Sequence, residues 1–290
     1  NGLLEASLMV ENNGYKVFGE NPQLFKASYA LLRYAFPNGR TLGFGDTGGG
    51  PTSPENLEIA IVGAKKYDSP VTPILVNELH QMIVKGHYSR SESGYFGLLS
   101  YTSEIKPMEV TDAPNLTPRA DSLGFAKCYI QRNSTNEVNG LMYSVYGATY
   151  NHNNADGMSI ELYGPHYVMG RDPGSHGYDT DIYVEYYARW AAHNTVVAEE
   201  KSAPFEPFRG GGGAKQMGEI KLLAMEPEPE KAALSSECSY TYTHYVDSST
   251  NTKQRRHVGL IRTSKSTGYY VDIYRSDNPK QNDYLYHNIG

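Results

Sequence analysis

The chain has 290 residues, 39% hydrophobic and 20% charged, with a net charge of −6 and a pI near 5.9. That composition suits a globular protein of one large or two ordinary domains. It excludes two classes: no apolar stretch approaches the ~20 residues that cross a bilayer, and no Lys/Arg-rich face marks a nucleic-acid binder.

The opening "NGLLEASLMV" reads as the interior of a helix, so the chain is expected to be a fragment of a longer protein. Up to about Gly86, apolar residues recur three and four apart in "LLEASLMVENNG", "NPQLFKASYALLRYAF", "SPENLEIAIVGAKKYD" and "TPILVNELHQMIVKG", which predicts four helices. Asn21-Pro22 and Ser53-Pro54 pair an N-cap with a first-turn proline, while Gly14 and Gly86 are stops. Between the second and third helices, "LGFGDTGGGPTSP" lacks the Lys-Ser/Thr of a phosphate-binding loop. It reads as a glycine-rich connection that lines a cleft through Asp46.

After a mixed segment the period changes to two. "GFAKCYIQRN", "GLMYSVYGATYNH", "MSIELYG", "HYVMGRD", "NTVVAEE", "GEIKLLAME", "YTYTHYVD", "QRRHVGLIRT" and "GYYVDIYRS" predict short antiparallel strands of a sandwich or large twisted sheet. "RGGGGAK" reads as a flexible loop. The expected architecture is α+β: helices over 1–92 and an antiparallel sheet domain over 93–290. The 25 tyrosines fit strands, and their flat rings with hydroxyl tips also suit sugar binding. Cys128 and Cys238 stand far apart in no CxxC pattern and read as buried free thiols.

Three pieces of the sheet domain carry candidate chemistry: "YNHNNAD" from Tyr150, "GRDPGSHGYD" from Gly170 and "RWAAHNTVV" from Arg189. Strands paired as a meander would bring His152, Asn154, Asp172 and His193 together, a mixed N/O set suited to a borderline divalent cation. Tyr150 and His152 are two apart and share a face of an extended segment. An imidazole is available as base at neutral pH, and a phenol can donate to a leaving oxygen.

In this order the pieces resemble the heparinase II/III-like polysaccharide lyases. "HNNADGMS" is similar to their HxHxD-x-G-S element, with asparagine at the second histidine; "DPG" matches their DxG turn and "AHNTVV" their aHNtv element. "FGDTG", "PRADSLGFAKCYIQR" and "DYLYHNIG" resemble further elements, so the likeness covers most of the chain. The Tyr150-x-His152 arrangement looks most like the alginate lyases of polysaccharide lyase family thirty-nine.

The resemblance implies that the helices are the last part of an α/α toroid, and that the activity is β-elimination on a uronate polysaccharide, alginate first and heparin/heparan sulfate second. It implies His152 and Tyr150 as catalytic residues, and Asn154, Asp172 and His193 around one divalent ion (Zn, Mn or Ca). Tyr178 and Tyr187 are substrate-binding candidates beside Asp46. It further implies a secreted or periplasmic location and an upstream toroid segment that supplies the principal tyrosine and the carboxylate-neutralising Asn/His. Two other classes remain open: a non-catalytic carbohydrate-binding protein, and a metal-dependent hydrolase using His152 and His193.

Overall fold

The computed structural model describes residues 2–45, 50–102, 105–147, 154–178, 180–201, 205–208, 211–214, 220–247 and 249–288. The chain divides into two compact units, Asn1–Tyr34 with Pro51–Leu116, and Ala35–Gly50 with Thr117–Gly290.

The first unit is helical: α1 (Gly2–Asn12), α2 (Val17–Glu20), α3 (Pro22–Tyr29), α4 (Pro54–Lys66), α5 (Thr72–Val84) and α6 (Gly94–Leu99). The four predicted helices are α1, α3, α4 and α5. The other two have four and six residues, too few to display a 3.6-residue period. Ser53 caps α4, its side chain accepting the Asn56 N–H ahead of Pro54. Leu57, Ala60, Ile61 and Ala64 of α4 pack with Leu75, Val76 and Leu79 of α5 into one core. Buried Glu11 is compensated by Lys66, by the Tyr67 hydroxyl at 2.6 Å and by the Phe18 N–H, as a buried charge requires.

The second unit is an antiparallel sandwich. One sheet runs β1 (Ala120–Leu123), β2 (Cys128–Arg132), β3 (Met142–Tyr146), β4 (Ser159–Gly164) and β5 (Tyr167–Val168) in sequential order. Later come β6 (Val196–Ala198), β7 (Phe205–Phe208), β8 (Gly211–Ala214), β9 (Lys221–Glu226), β10 (Cys238–Asp247), β11 (Thr252–Arg262), β12 (Gly268–Ser276) and β13 (Asn282–Tyr284). Strands β9 to β12 form a second sheet, ordered β12-β11-β10-β9, while β13 pairs with β6 and β7 with β8.

Tyr143, Val145 and Ile160 from the first sheet share a core with Tyr245, Val258 and Leu260 from the second, joined by Met158 and Trp190. The Tyr143 hydroxyl crosses between the sheets, donating to the Val258 carbonyl at 2.8 Å and lying 3.0 Å from the Thr241 hydroxyl. Burial alternates strictly along β10, the period-2 pattern read from its sequence.

Each of the nine predicted strand patterns contains a strand. Three expectations differ from the fold. The glycine-rich run, expected as a loop, supplies β8, paired antiparallel with β7; its backbone groups can make the ladder although glycine is a weak strand former. The helical unit also extends beyond residue 92 to Leu116, and residues 35–50 belong to the sheet unit. Long-range hydrogen bonds draw that loop in: the Gly43 N–H reaches Glu161 and the Gly45 N–H reaches Asp156. No helix among the described residues is long and apolar enough to cross a membrane. Both cysteines are free, Cys128 buried and Cys238, contrary to expectation, exposed.

Candidate functional site

The connection from β3 to β4 carries Tyr150 and His152. These two candidates, with Asp46, lie outside the described residues. The ends of that connection are fixed by specific contacts. A Cβ on Gly147 would stand 2.8 Å from the Gly157 Cα, so the two ends meet backbone to backbone where only glycine fits. Beyond the connection, the Ala155 N–H donates to the Ala188 carbonyl at 3.1 Å. Asn154 Nδ2 donates to the Gly45 carbonyl at 2.9 Å, and the Gly45 N–H returns a 3.1 Å bond to Asp156 Oδ2.

Beside this anchor lies a buried polar network in which two of the expected metal ligands, Asp172 and His193, are in contact, while the third, Asn154, is linked to them through the Gly174 carbonyl, 3.4 Å from its Nδ2. Asn154, Asp172 and His193 are 0%, 2% and 0% exposed, so none of them faces bulk solvent. His193 Nδ1 lies 2.6 Å from Asp172 Oδ2, which also accepts from the Tyr146 hydroxyl at 2.9 Å. Asp172 Oδ1 accepts from the Gly174 N–H at 2.9 Å, the local bond that makes "DPG" a turn. Asn154 Oδ1 faces the Tyr183 hydroxyl at 3.4 Å.

Two further carboxyls, Asp156 and Glu161, complete the network. Burial, reinforced by the charge of Asp172, raises Asp156 to about 7 against the pull of His193 and the Gly45 N–H. Burial and Asp172 raise Glu161 to about 8, although it accepts from the Gly43 N–H at 2.8 Å and the Asp172 N–H at 3.3 Å. Burial alone would lower His193; the adjacent Asp172 charge and hydrogen bond, with Asp156, outweigh it and raise the imidazole instead. The network therefore holds protons near neutral pH.

Among the described residues no three His, Cys, Asp or Glu side chains are grouped to hold a metal ion, so an ion at this place needs the Asn154 amide oxygen. Among the described residues, His193 Nε2 is buried with only a poorly aligned contact to the Tyr187 carbonyl, which also helps to raise the imidazole, so it would be free to bind a cation only if that contact were given up. An imidazole that gives one ring N–H to a carboxylate and keeps the other nitrogen open is the usual arrangement of a metal-bound histidine. The donor types thus fit a divalent cation, provided the proton shared by His193 and Asp172 is released.

Of the substrate-binding candidates, Tyr178 is 38% exposed and packs edge-to-face on Tyr183 at 5.1 Å. Tyr187 is half-buried, its ring centroid 5.6 Å from those of Tyr186, edge-to-face, and of His176. Both belong to an aromatic group around the short helical turn Tyr183–Tyr187, from which Tyr183 reaches Asn154.

Sequence reasoning assigned no role to Tyr146, Asp156, Glu161, Tyr183 or Asn194. The Asn194 amide donates to the carbonyls of Ile160 and Gly170 at 2.9 and 3.1 Å and accepts the His287 N–H at 2.6 Å, locking the "AHNTVV" turn. A signal existed for two of the five: Asp156 sits inside "HNNADG", and Glu161 is an acid in the middle of an apolar strand.

This site sits in a fold found in polysaccharide lyases. Solved structures with the same fold include heparan sulfate lyase HepC from Pedobacter heparinus (TM-score 0.55, 15% identity, 87% of this chain and 32% of that one). A heparinase III gives a TM-score of 0.52 at 15% identity over 92% of this chain and 34% of that one. In sequence, the chain is 33% identical over 172 residues to an endo-acting ulvan lyase of Formosa agariphila, covering 56% of this chain and 21% of that protein. The chain thus spans about a fifth of that relative and a third of the solved structures. No protein-family profile matches it.

Proposed function

We propose that this chain is part of a polysaccharide lyase that cleaves a uronate-containing acidic polysaccharide by β-elimination at the 4-O-glycosidic bond. The observation that carries the reading is the buried Asp172–His193 pair, linked through the Asp172–Gly174 turn to Asn154 at the anchored end of the segment bearing Tyr150 and His152. The fold and the similarity to an ulvan lyase support it.

Elimination needs a base at the C5 proton, an acid for the departing oxygen and a group that neutralises the carboxylate. In this reading His152 takes or relays the C5 proton and Tyr150 serves the leaving oxygen. The network, closed to solvent, keeps that segment in register rather than touching sugar. Tyr178 and Tyr187 offer ring faces and hydroxyls to the chain, with Asp46 at the cleft. The carboxylate neutraliser and the principal tyrosine come from an upstream α/α toroid of the same protein. A divalent cation held by Asn154, Asp172 and His193 would supply positive charge that ties the turn to the strand edges and adds its binding free energy to folding.

Ulvan heads the substrate ranking because of the 33% identity to an ulvan lyase. Alginate, suggested by the Tyr150-x-His152 arrangement, and heparan sulfate are the two alternatives. A polymer substrate of this size places the enzyme outside the cytoplasm, secreted or periplasmic.

The test is ultraviolet absorbance of the C4–C5 double bond formed by the full-length protein on ulvan, alginate and heparan sulfate. Saturated products would identify a hydrolase. No product from any of the three, with binding intact, would identify a carbohydrate-binding protein.

A further inference from the structure

Strand pairing in the second sheet aligns four basic side chains in one row. Lys221 of β9 pairs with His244 of β10, His244 with Arg255 of β11, and Arg255 with Arg275 of β12. Alternation places all four on the face turned away from the sandwich core, where Lys221, Arg255 and Arg275 are exposed and His244 is half-buried. With strands ~4.8 Å apart, the row is roughly 14 Å long. Lys253, two residues before Arg255 on the same face, widens it.

Like charges directly opposite one another across a sheet are destabilising unless something compensates them. Among the described residues no ion pair does so here. Among the described residues, Lys221, Lys253, Arg255 and Arg275 are in no ion pair; Asp247 and Asp272 point to the other face, and Asp277, at the end of the row beside Lys253, uses one carboxylate oxygen to accept the Lys253 N–H at 2.8 Å. Asp272 is already committed to Arg256. Glu226 is the one acid on this face among the described sheet residues, and it lies two outward rows away, opposite Tyr240. In a chain of net charge −6, a basic row without ion pairs among the described residues is a local departure from the overall sign.

The neighbouring row supplies aromatic rings. Tyr242 and His257 are stacked at 3.8 Å and 11°, while Tyr240 and Tyr269 are 43% and 52% exposed farther along the face. A straight line of cations beside tyrosine rings and hydroxyls fits an extended polymer that carries repeated anionic groups and sugar faces.

We propose that the outward face of the β9–β12 sheet binds an anionic polysaccharide, with Lys221, His244, Arg255 and Arg275 pairing its carboxylate or sulfate groups. The surface is the face of the β9–β12 sheet turned away from the core that this sheet shares with β1–β5, and it holds polymer rather than cleaving it. The choice of a glycan over another polyanion rests on the lyase reading; the charge row does not.

The experiment is affinity electrophoresis of the intact protein through gels cast with ulvan, heparan sulfate, alginate or neutral dextran, repeated over increasing salt. Acidic polysaccharides should retard the protein, dextran should not, and salt should abolish the effect. The double variant Arg255→Gln/Arg275→Gln should weaken retardation roughly five- to tenfold, with an unchanged melting temperature and unchanged turnover of short oligosaccharides. Full retardation of the folded double variant would overturn the proposal, and so would retardation by RNA or polyglutamate without retardation by any acidic glycan. Failure of the lyase reading would show separately, as an absence of unsaturated product while salt-sensitive retardation persists.

Discussion

His193 Nδ1 and Asp172 Oδ2 meet at 2.6 Å with both side chains fully shielded from solvent. The bond joins the "DPG" turn to the "AHNTVV" turn. Removing one partner leaves the other a buried polar group with nothing to pair it, which costs ~3–5 kcal/mol when that group is charged. Asp172→Ala and His193→Ala should each lower the melting temperature, and the double variant should lose less than the sum of the two. Additive losses in a denaturant titration would show that the pair is not coupled.

The same residues give the cation proposal a readout independent of turnover. Elemental analysis of the purified protein should find a divalent ion, with less in His193→Ala and Asn154→Ala, and a chelator should lower the melting temperature of the wild type only. Equal metal content in wild type and His193→Ala would remove His193 as a ligand.

The raised carboxyls make a pH prediction. Asp156 at about 7 and Glu161 at about 8 lie above their ordinary values of 3.8 and 4.5. Between the ordinary and the raised values the folded state binds more protons than the unfolded state, so stability falls as pH rises through that window. The contribution is fully present below the ordinary carboxyl range and is lost as pH passes about 8. In chelator-treated protein, where no cation counters these carboxyls, melting temperature should therefore be higher at pH 6 than at pH 9, and Glu161→Gln, which stays neutral, should flatten the difference. A melting temperature that rises across this interval would contradict the burial of neutral carboxyls.

His152→Ala in the full-length protein should cut lyase turnover by ~10²–10⁴-fold, the usual effect of losing a general acid or base. Its melting temperature should stay close to wild type. Near-normal turnover would remove His152 from the reaction.

What could be read from the sequence follows from how local each feature is. The alternation in "YTYTHYVD" and "QRRHVGLIRT" is a period-2 property of single strands, and both strands formed, as β10 and β11. The Asp172 and His193 turns were legible because "DPG" and "AHNTVV" are short. By contrast, the Gly43 and Gly45 contacts with Glu161 and Asp156 join residues more than a hundred positions apart, and no local pattern announces them. The proton-holding state of those carboxyls is equally hidden, since it depends on burial by strands that pair only in the folded chain. Even the basic row across β9–β12 needed the register, because its members are spread from Lys221 to Arg275.

Arg256 offers the most direct test of how the second sheet supports the site. Its guanidinium is fully buried and grips Asp272 with Nε at 2.9 Å and Nη2 at 2.6 Å, while Nη1 donates to the Met158 carbonyl and, at 2.6 Å, to the Asn194 carbonyl. Met158 follows the anchored end of the His152 segment and Asn194 follows His193, so one side chain of β11 fixes the backbone at both turns. Arg256→Met should destabilise the protein by ~3–5 kcal/mol, because Asp272 loses its counter-charge. The two carbonyls would also lose their donor. Arg256→Lys keeps the charge but cannot make the bidentate fork and reach both carbonyls, so it should recover only part of the loss. Adding Asp272→Asn to Arg256→Met should also recover part, by removing the stranded carboxylate. In the full-length protein, Arg256→Lys should lower kcat through misplacement of the His152 segment while remaining folded. A stable Arg256→Met protein with wild-type turnover would show that the two turns hold their positions without β11.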